Sequence, residues 1–137
     1  MVDFHGSKLA LIIGSKLLVY RRDRNKQIPF PGCWDFPGGG REGTESPEEC
    51  VLRELYEEFA IRLTQERLLY RRDYSVPYRT ELSCFFAAHA TTTEIEEIKF
   101  GDEGELWCIM EIEDYLTHSD AVPNLQQRLR DYLSFIA

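Results

Sequence analysis

Apolar and polar positions along the chain change period several times, and each change predicts an element. Leu9–Ile13 is an unbroken apolar run, Leu17–Arg21 is a second segment that is apolar up to its closing arginine, and Gly14-Ser15-Lys16 lies between them. Two short apolar runs around a glycine turn predict a β-hairpin. Asp23–Gly32 is polar and carries prolines, so it reads as a loop, and Cys33–Phe36 as a short strand. Further strands are expected at Leu68–Tyr74, Glu81–Ala88 and Leu106–Met110, with loops at Thr91–Thr93 and Gly101–Gly104.

Helical spacing governs two segments. Val51, Leu52, Leu55 and Phe59 recur on one face, as do Leu125, Leu129, Tyr132, Leu133 and Ile136. Ile112–Leu116 is expected to add a short helix. The first helix has a clear start, with Ser46 as N-cap, Pro47 at the first position and Glu49 closing a capping box. The glycine run Phe36-Pro37-Gly38-Gly39-Gly40 fits neither helix nor a regular central strand. Strands between helices that bury opposite faces predict a layered α/β/α sandwich.

The first helix also carries the most informative polar pattern. Glu54, Glu57 and Glu58 stand at i, i+3 and i+4, so three carboxylates are surface neighbours directly after a glycine-rich turn. Such like charges repel by a few tenths of a kcal/mol per pair. A divalent cation between them would make the arrangement favourable. A charged helix is ordinarily a solvated face, and partners exist here at i,i+4: Glu49 with Arg53, Arg53 with Glu57, Glu58 with Arg62. The wider pattern from Gly39 through Glu45 to Glu58 is less easily dismissed. At background residue usage its six glycine and charged positions coincide on the order of once in ten million starts.

That pattern resembles the signature of the Nudix hydrolases. Their motif runs Gly, five residues, Glu, seven residues, Arg-Glu, an aliphatic, any residue, Glu-Glu, any residue, Gly, an aliphatic. Here it extends from Gly39 through Glu45 and Arg53-Glu54-Leu55-Tyr56-Glu57-Glu58 to Ile61, and Trp34-Asp35-Phe36-Pro37-Gly38-Gly39 before it is similar to the MutT-like branch. Ala60 departs, standing where the family has Gly. A left-handed alanine costs about 1–2 kcal/mol, so a turn of different build is expected after this helix.

The resemblance implies a single Nudix domain over 1–137, an α/β/α sandwich with a mixed sheet, and hydrolysis of a nucleoside diphosphate linked to another group. It implies Mg²⁺, with Mn²⁺ as a substitute, bound by Glu54, Glu57, Glu58 and the Gly38 carbonyl. Glu103 would complete the metal site, with Glu105 or Asp102 as alternatives, and Glu54 or Glu103 would act as base. Arg53 and Glu45 would brace the cluster as an ion pair. Gly39 would let the substrate approach the backbone, Arg22 would contact phosphate and Asn124 the purine. Tyr78, with Tyr74 and Arg79, would border base or sugar, although edge packing is the commoner fate of such tyrosines. The favoured substrate is a nucleoside triphosphate or an oxidised one, cleaved to monophosphate and pyrophosphate. ADP-ribose or a nucleotide sugar is the rival, and a non-catalytic nucleotide-binding module the reading from another class.

Composition narrows the partners. The net charge of −8 argues against a broad nucleic-acid surface, without opposing a small phosphorylated substrate once metal is bound. No apolar run approaches membrane-spanning length and no signal-type segment opens the chain. Cys33, Cys50, Cys84 and Cys108 form no C-x-x-C pair and read as free thiols of a cytoplasmic protein. His5, His89 and His118 show no metal-ligand spacing. Monomer and homodimer are both open.

Overall fold

The computed structural model describes residues 3–24 and 27–137. Strands β1 (Phe4–Ile13) and β2 (Lys16–Arg21) form the expected hairpin, with Gly14 at φ 62° in the turn. Short strands β3 (Trp34–Asp35) and β4 (Gly38–Gly40) precede helix α1 (Pro47–Phe59). Then come β5 (Tyr70–Tyr74), β6 (Leu82–His89), α2 (Thr92–Glu96), β7 (Leu106–Glu111), α3 (Ile112–Thr117) and α4 (Pro123–Ile136). The sheet runs β3-β2-β1-β6-β5, with β7 paired to β2 and β4 to β1. Among the described strands β1 and β6 pair in parallel and the other pairs are antiparallel, so the sheet is mixed.

Both faces of the sheet are covered. Leu9, Leu11, Leu18 and Phe86 meet Val51, Leu55 and Phe59 of α1 on one side. Ala10, Ile12, Leu17, Val19 and Phe85 meet Tyr115, Leu125, Leu129 and Tyr132 of α3 and α4 on the other. This is why Leu9–Ile13 reads as a continuous apolar run: a central strand is buried on both faces. The α/β/α sandwich expected from the pattern is the observed architecture. No helix among the described residues is long and apolar enough to cross a membrane.

As expected, the glycine run is neither helix nor a central strand: it forms only β4, three residues paired on one side with Gly6–Lys8. Gly38, at φ 135°, takes a backbone conformation that side chains rarely adopt. Three local expectations need correction. The threonines open α2, because Thr91 caps it in a box with Glu94. Ala60 adopts the left-handed turn after all (φ 59°, ψ 27°), its N–H donating to the Tyr56 carbonyl at 2.8 Å. Ile136, placed on the buried face of the last helix, is exposed.

Candidate active site

Helix α1 starts as its sequence dictates: Ser46 Oγ accepts the Glu49 N–H at 3.1 Å, and Glu49 returns the bond to the Ser46 N–H at 2.8 Å. That cap fixes the helical phase and with it the direction of the glutamates about two to three turns on. Glu54, Glu57 and Glu58 all face a cavity of about 740 Å³, whose wall continues through β4, the start of β1 and the first turns of α4.

Glu58 is buried, and its Oε1 accepts the Gly38 N–H at 2.9 Å. Burial pushes its carboxyl up to about 8, against the pull of Lys8 and that N–H, and the Glu54 and Asp35 charges push further. Glu54 is raised as well, again chiefly by burial. Arg53 organises the other carboxylates. Its Nε and Nη2 grip Glu45 at 3.0 and 2.8 Å, and its Nη1 donates to Glu54 at 3.0 Å and Glu57 at 3.1 Å. Nη2 also donates to the Gly40 carbonyl at 3.0 Å, tying helix to β4. The Arg53 fork holds Glu45 down to about 2. The other anticipated pairs do not form: Glu49 serves the cap, and Arg62 lies over the Tyr56 ring at 4.0 Å.

Among the described residues no three acidic, histidine or cysteine side chains stand together as a ready metal cage. Arg53 Nη1 lies between Glu54 and Glu57 and takes an oxygen from each. The donor chemistry nonetheless fits a hard divalent cation: carboxylates with raised affinity for protons, and a neighbouring carbonyl at Gly38. Gly39 keeps the approach open, since a Cβ there would overlap Glu54 Oε2.

The same cavity holds a polar group that the sequence did not single out. Asp35 is buried, and its Oδ2 accepts from Lys8 Nζ at 2.9 Å, Arg22 Nη1 at 2.8 Å and Tyr20 OH at 3.2 Å. Its pKa is lowered although burial opposes this, because the Lys8 and Arg22 cations outweigh it. Lys8 also donates to the Phe36 and Gly38 carbonyls at 3.2 and 3.3 Å. Arg22 thus borders the cavity but is anchored to Asp35 and, through Nε, to the Pro29 carbonyl at 2.8 Å. The available signal was an aspartate between two aromatics in a short strand, with a lysine heading the first apolar run.

Glu103 lines the cavity; its loop is drawn in by the Gly101 N–H, which donates to the Glu58 carbonyl at 2.8 Å. Asp102 does not line it, and Glu105 pairs with Arg24 at 3.0 Å instead. Asn124 lines the cavity from α4, and so does Arg128 one turn later. Tyr78 does not: it is fully exposed in a left-handed turn at φ 65°, outside the wall. Tyr74 bonds Asp131 through its hydroxyl at 2.8 Å, and Arg79 faces Glu81 at 3.9 Å, so neither reaches the site.

Comparison with known proteins agrees with this geometry. The NUDIX domain model matches residues 4–133. An 8-oxo-dGTP diphosphatase of Proteus vulgaris is 39% identical over 92 residues, spanning 66% of this chain and 82% of that protein. An RNA pyrophosphohydrolase of Hamiltonella defensa is 44% identical over 46 residues, which span 34% of this chain and only 28% of the relative. Among solved structures, a MutT protein from Methanosarcina mazei Go1 superposes with a TM-score of 0.75 at 18% identity, over 96% of this chain and 94% of the other. A C. elegans Ap4A hydrolase gives 0.69 at 18% identity, over 99% and 98%. At such identities these structures speak for the fold alone. Family model, relative and motif together place the chain in the Nudix family, as a MutT-like pyrophosphohydrolase.

Proposed function

We propose that the chain hydrolyses a nucleoside triphosphate, or an oxidised one, to nucleoside monophosphate and pyrophosphate in the presence of Mg²⁺. One observation carries this reading. The α1 glutamates, Arg22 and Asn124 all line one cavity, which suits a substrate that carries both phosphates and a base. The similarity to an 8-oxo-dGTP diphosphatase supports the choice of an oxidised nucleotide.

Glu54, Glu57, Glu58 and the Gly38 carbonyl would hold the cation, and Glu103 would join them from its loop. A bound divalent cation supplies charge neutralisation on adjacent phosphates and polarises the phosphoryl group. Arg53 acts behind the glutamates, orienting Glu54 and Glu57 while Glu45 holds its fork. Arg22 and Lys8, both on Asp35, present positive charge to the phosphates. Glu103 takes the proton of the attacking water, with Glu54 as the alternative base, and the water oxygen displaces pyrophosphate in line. Asn124 offers an amide donor and acceptor to the base edge.

The test is product release, with and without Mg²⁺, from canonical and oxidised nucleoside triphosphates, ADP-ribose, nucleotide sugars and dinucleoside polyphosphates. Metal-dependent pyrophosphate release from a triphosphate is expected. Turnover of ADP-ribose or a nucleotide sugar alone would move the chain to the other hydrolase branch. Binding without any turnover would make it a non-catalytic nucleotide-binding module.

A further inference from the structure

The cavity wall away from the glutamates holds a cation with no assigned part in phosphate chemistry. Arg128 retains 7% of its surface exposed, lines the cavity and has no carboxylate within ion-pairing distance among the described residues. Nη1 donates to Ser83 Oγ at 3.0 Å, and the Tyr74 ring covers the guanidinium at 4.7 Å. Arginine has five N–H donors and no acceptor, and burying its charge without a counter-ion is costly. The remaining donors have no protein acceptor among the described residues and open on the cavity.

The surroundings narrow what an outside acceptor belongs to. Ser83 lies opposite Gly6 on β1, and Gly6 opposite Gly40 on β4. Two strand spacings place the Arg128 anchor roughly 10 Å from the glycine strand beside the α1 glutamates. That separation suits a ribose and part of a base better than a second phosphate on the same metal. Asn124, one helical turn before Arg128, brings an acceptor as well as a donor, and His5 Nε2 is buried with no hydrogen-bond partner. Val76 and Leu125 complete an apolar wall. An anion would need donors only; mixed donors and acceptors beside apolar surface fit the edge of a flat heterocycle.

We propose that Arg128 is the specificity-determining residue of the site, donating N–H groups to the O6 oxygen of a 6-oxopurine nucleotide. Guanine, its 8-oxo derivative and hypoxanthine all offer that acceptor. Adenine places an amino donor there, leaving an Arg128 N–H buried and unpaired, and a site built to donate rejects such a base strongly. The inference rests on the nucleotide-hydrolase reading and adds the base to it.

The experiment compares kcat/KM for GTP, ITP and ATP in wild-type protein, Arg128→Met and Arg128→Lys, alongside metal-free calorimetric binding of GMP, IMP and AMP. Wild type is expected to favour GTP and ITP over ATP by about 10-fold or more. Arg128→Met is expected to bring that ratio close to one, chiefly through KM, and Arg128→Lys to retain part of it. Should Arg128→Met fail to unfold cooperatively, Ser83→Ala, which releases Nη1, is expected to narrow the same ratio. A purely structural arginine would lower all three substrates together and leave the ratio intact, which overturns the proposal. Triphosphate hydrolysis indifferent to the base overturns it too, while the hydrolase reading stands. No hydrolysis, but Arg128-dependent preference for GMP and IMP over AMP, would support the proposal and defeat the hydrolase reading. No preference in either assay defeats the proposal.

Discussion

Lys8 Nζ stands 2.9 Å from Asp35 Oδ2, and Arg22 Nη1 reaches the same oxygen at 2.8 Å. One buried carboxylate thereby fixes two cations at the cavity wall, one from β1 and one just past the end of β2. Replacing Asp35 by Asn would keep the shape and leave both charges without a counter-ion. Asp35→Asn is expected to lose about 3–5 kcal/mol in urea unfolding. Stability within about 0.5 kcal/mol of wild type would show that the two cations do not depend on Asp35.

Glu45 and Arg53 set an acid limit. The folded-state pKa of Glu45 is about 2 against an ordinary 4.5, because Arg53 grips the ionised form. A depressed carboxylate contributes stability that is fully present above its unfolded pKa and is lost as pH falls through the folded one. The window is therefore pH 4.5 down to about 2, and solvent screening of the pair reduces the contribution at neutral pH to about 1 kcal/mol. Glu45→Gln is expected to lower Tm at pH 7 and to flatten the decline between pH 4.5 and 2. An unchanged acid slope in thermal melts would contradict the pairing.

Ala60 in a left-handed conformation is a local cost that the chain carries at the end of α1. Glycine there removes about 1–2 kcal/mol of strain and adds about 0.4–1 kcal/mol of unfolded-state entropy. Ala60→Gly is expected to stabilise by a few tenths to about 1 kcal/mol. A fall in the urea midpoint would rule out strain at this turn.

Gly39 tests the space beside Glu54. Its backbone is not in the left-handed region, yet a Cβ would overlap Glu54 Oε2. Mg²⁺ is expected to raise the Tm of the wild-type protein, and Gly39→Ala is expected to fold and to weaken that rise. An undiminished Mg²⁺ response would mean that Glu54 is free to move aside without loss.

Legibility followed sequence separation. The glutamate cluster, the Ser46 cap and the buried strand Leu9–Ile13 depend on neighbours within a turn or a run, so spacing alone displayed them. Arg53 with Glu45 was readable only because the motif's resemblance supplied it. The Asp35 network was not readable, since its partners lie 27 and 13 residues away and meet only through strand register. Arg128 was hidden for a related reason: a charge among α4's apolar positions looks like solvated surface until Ser83 of β6 is placed beside it. Tyr78 was misplaced because an aromatic in a proline turn suggests a binding rim, whereas the turn leaves it fully exposed and outside the cavity wall.

In the proposed reaction the α1 carboxylates hold the cation on which phosphoanhydride cleavage depends. The most direct test of this is turnover as a function of Mg²⁺ concentration in wild-type protein, Glu57→Gln and Glu58→Gln, with Tm recorded in parallel. Saturable Mg²⁺ dependence in the wild type is expected, with kcat lower by orders of magnitude in both variants and folding retained. Turnover without Mg²⁺, or wild-type kcat in both variants, would contradict it.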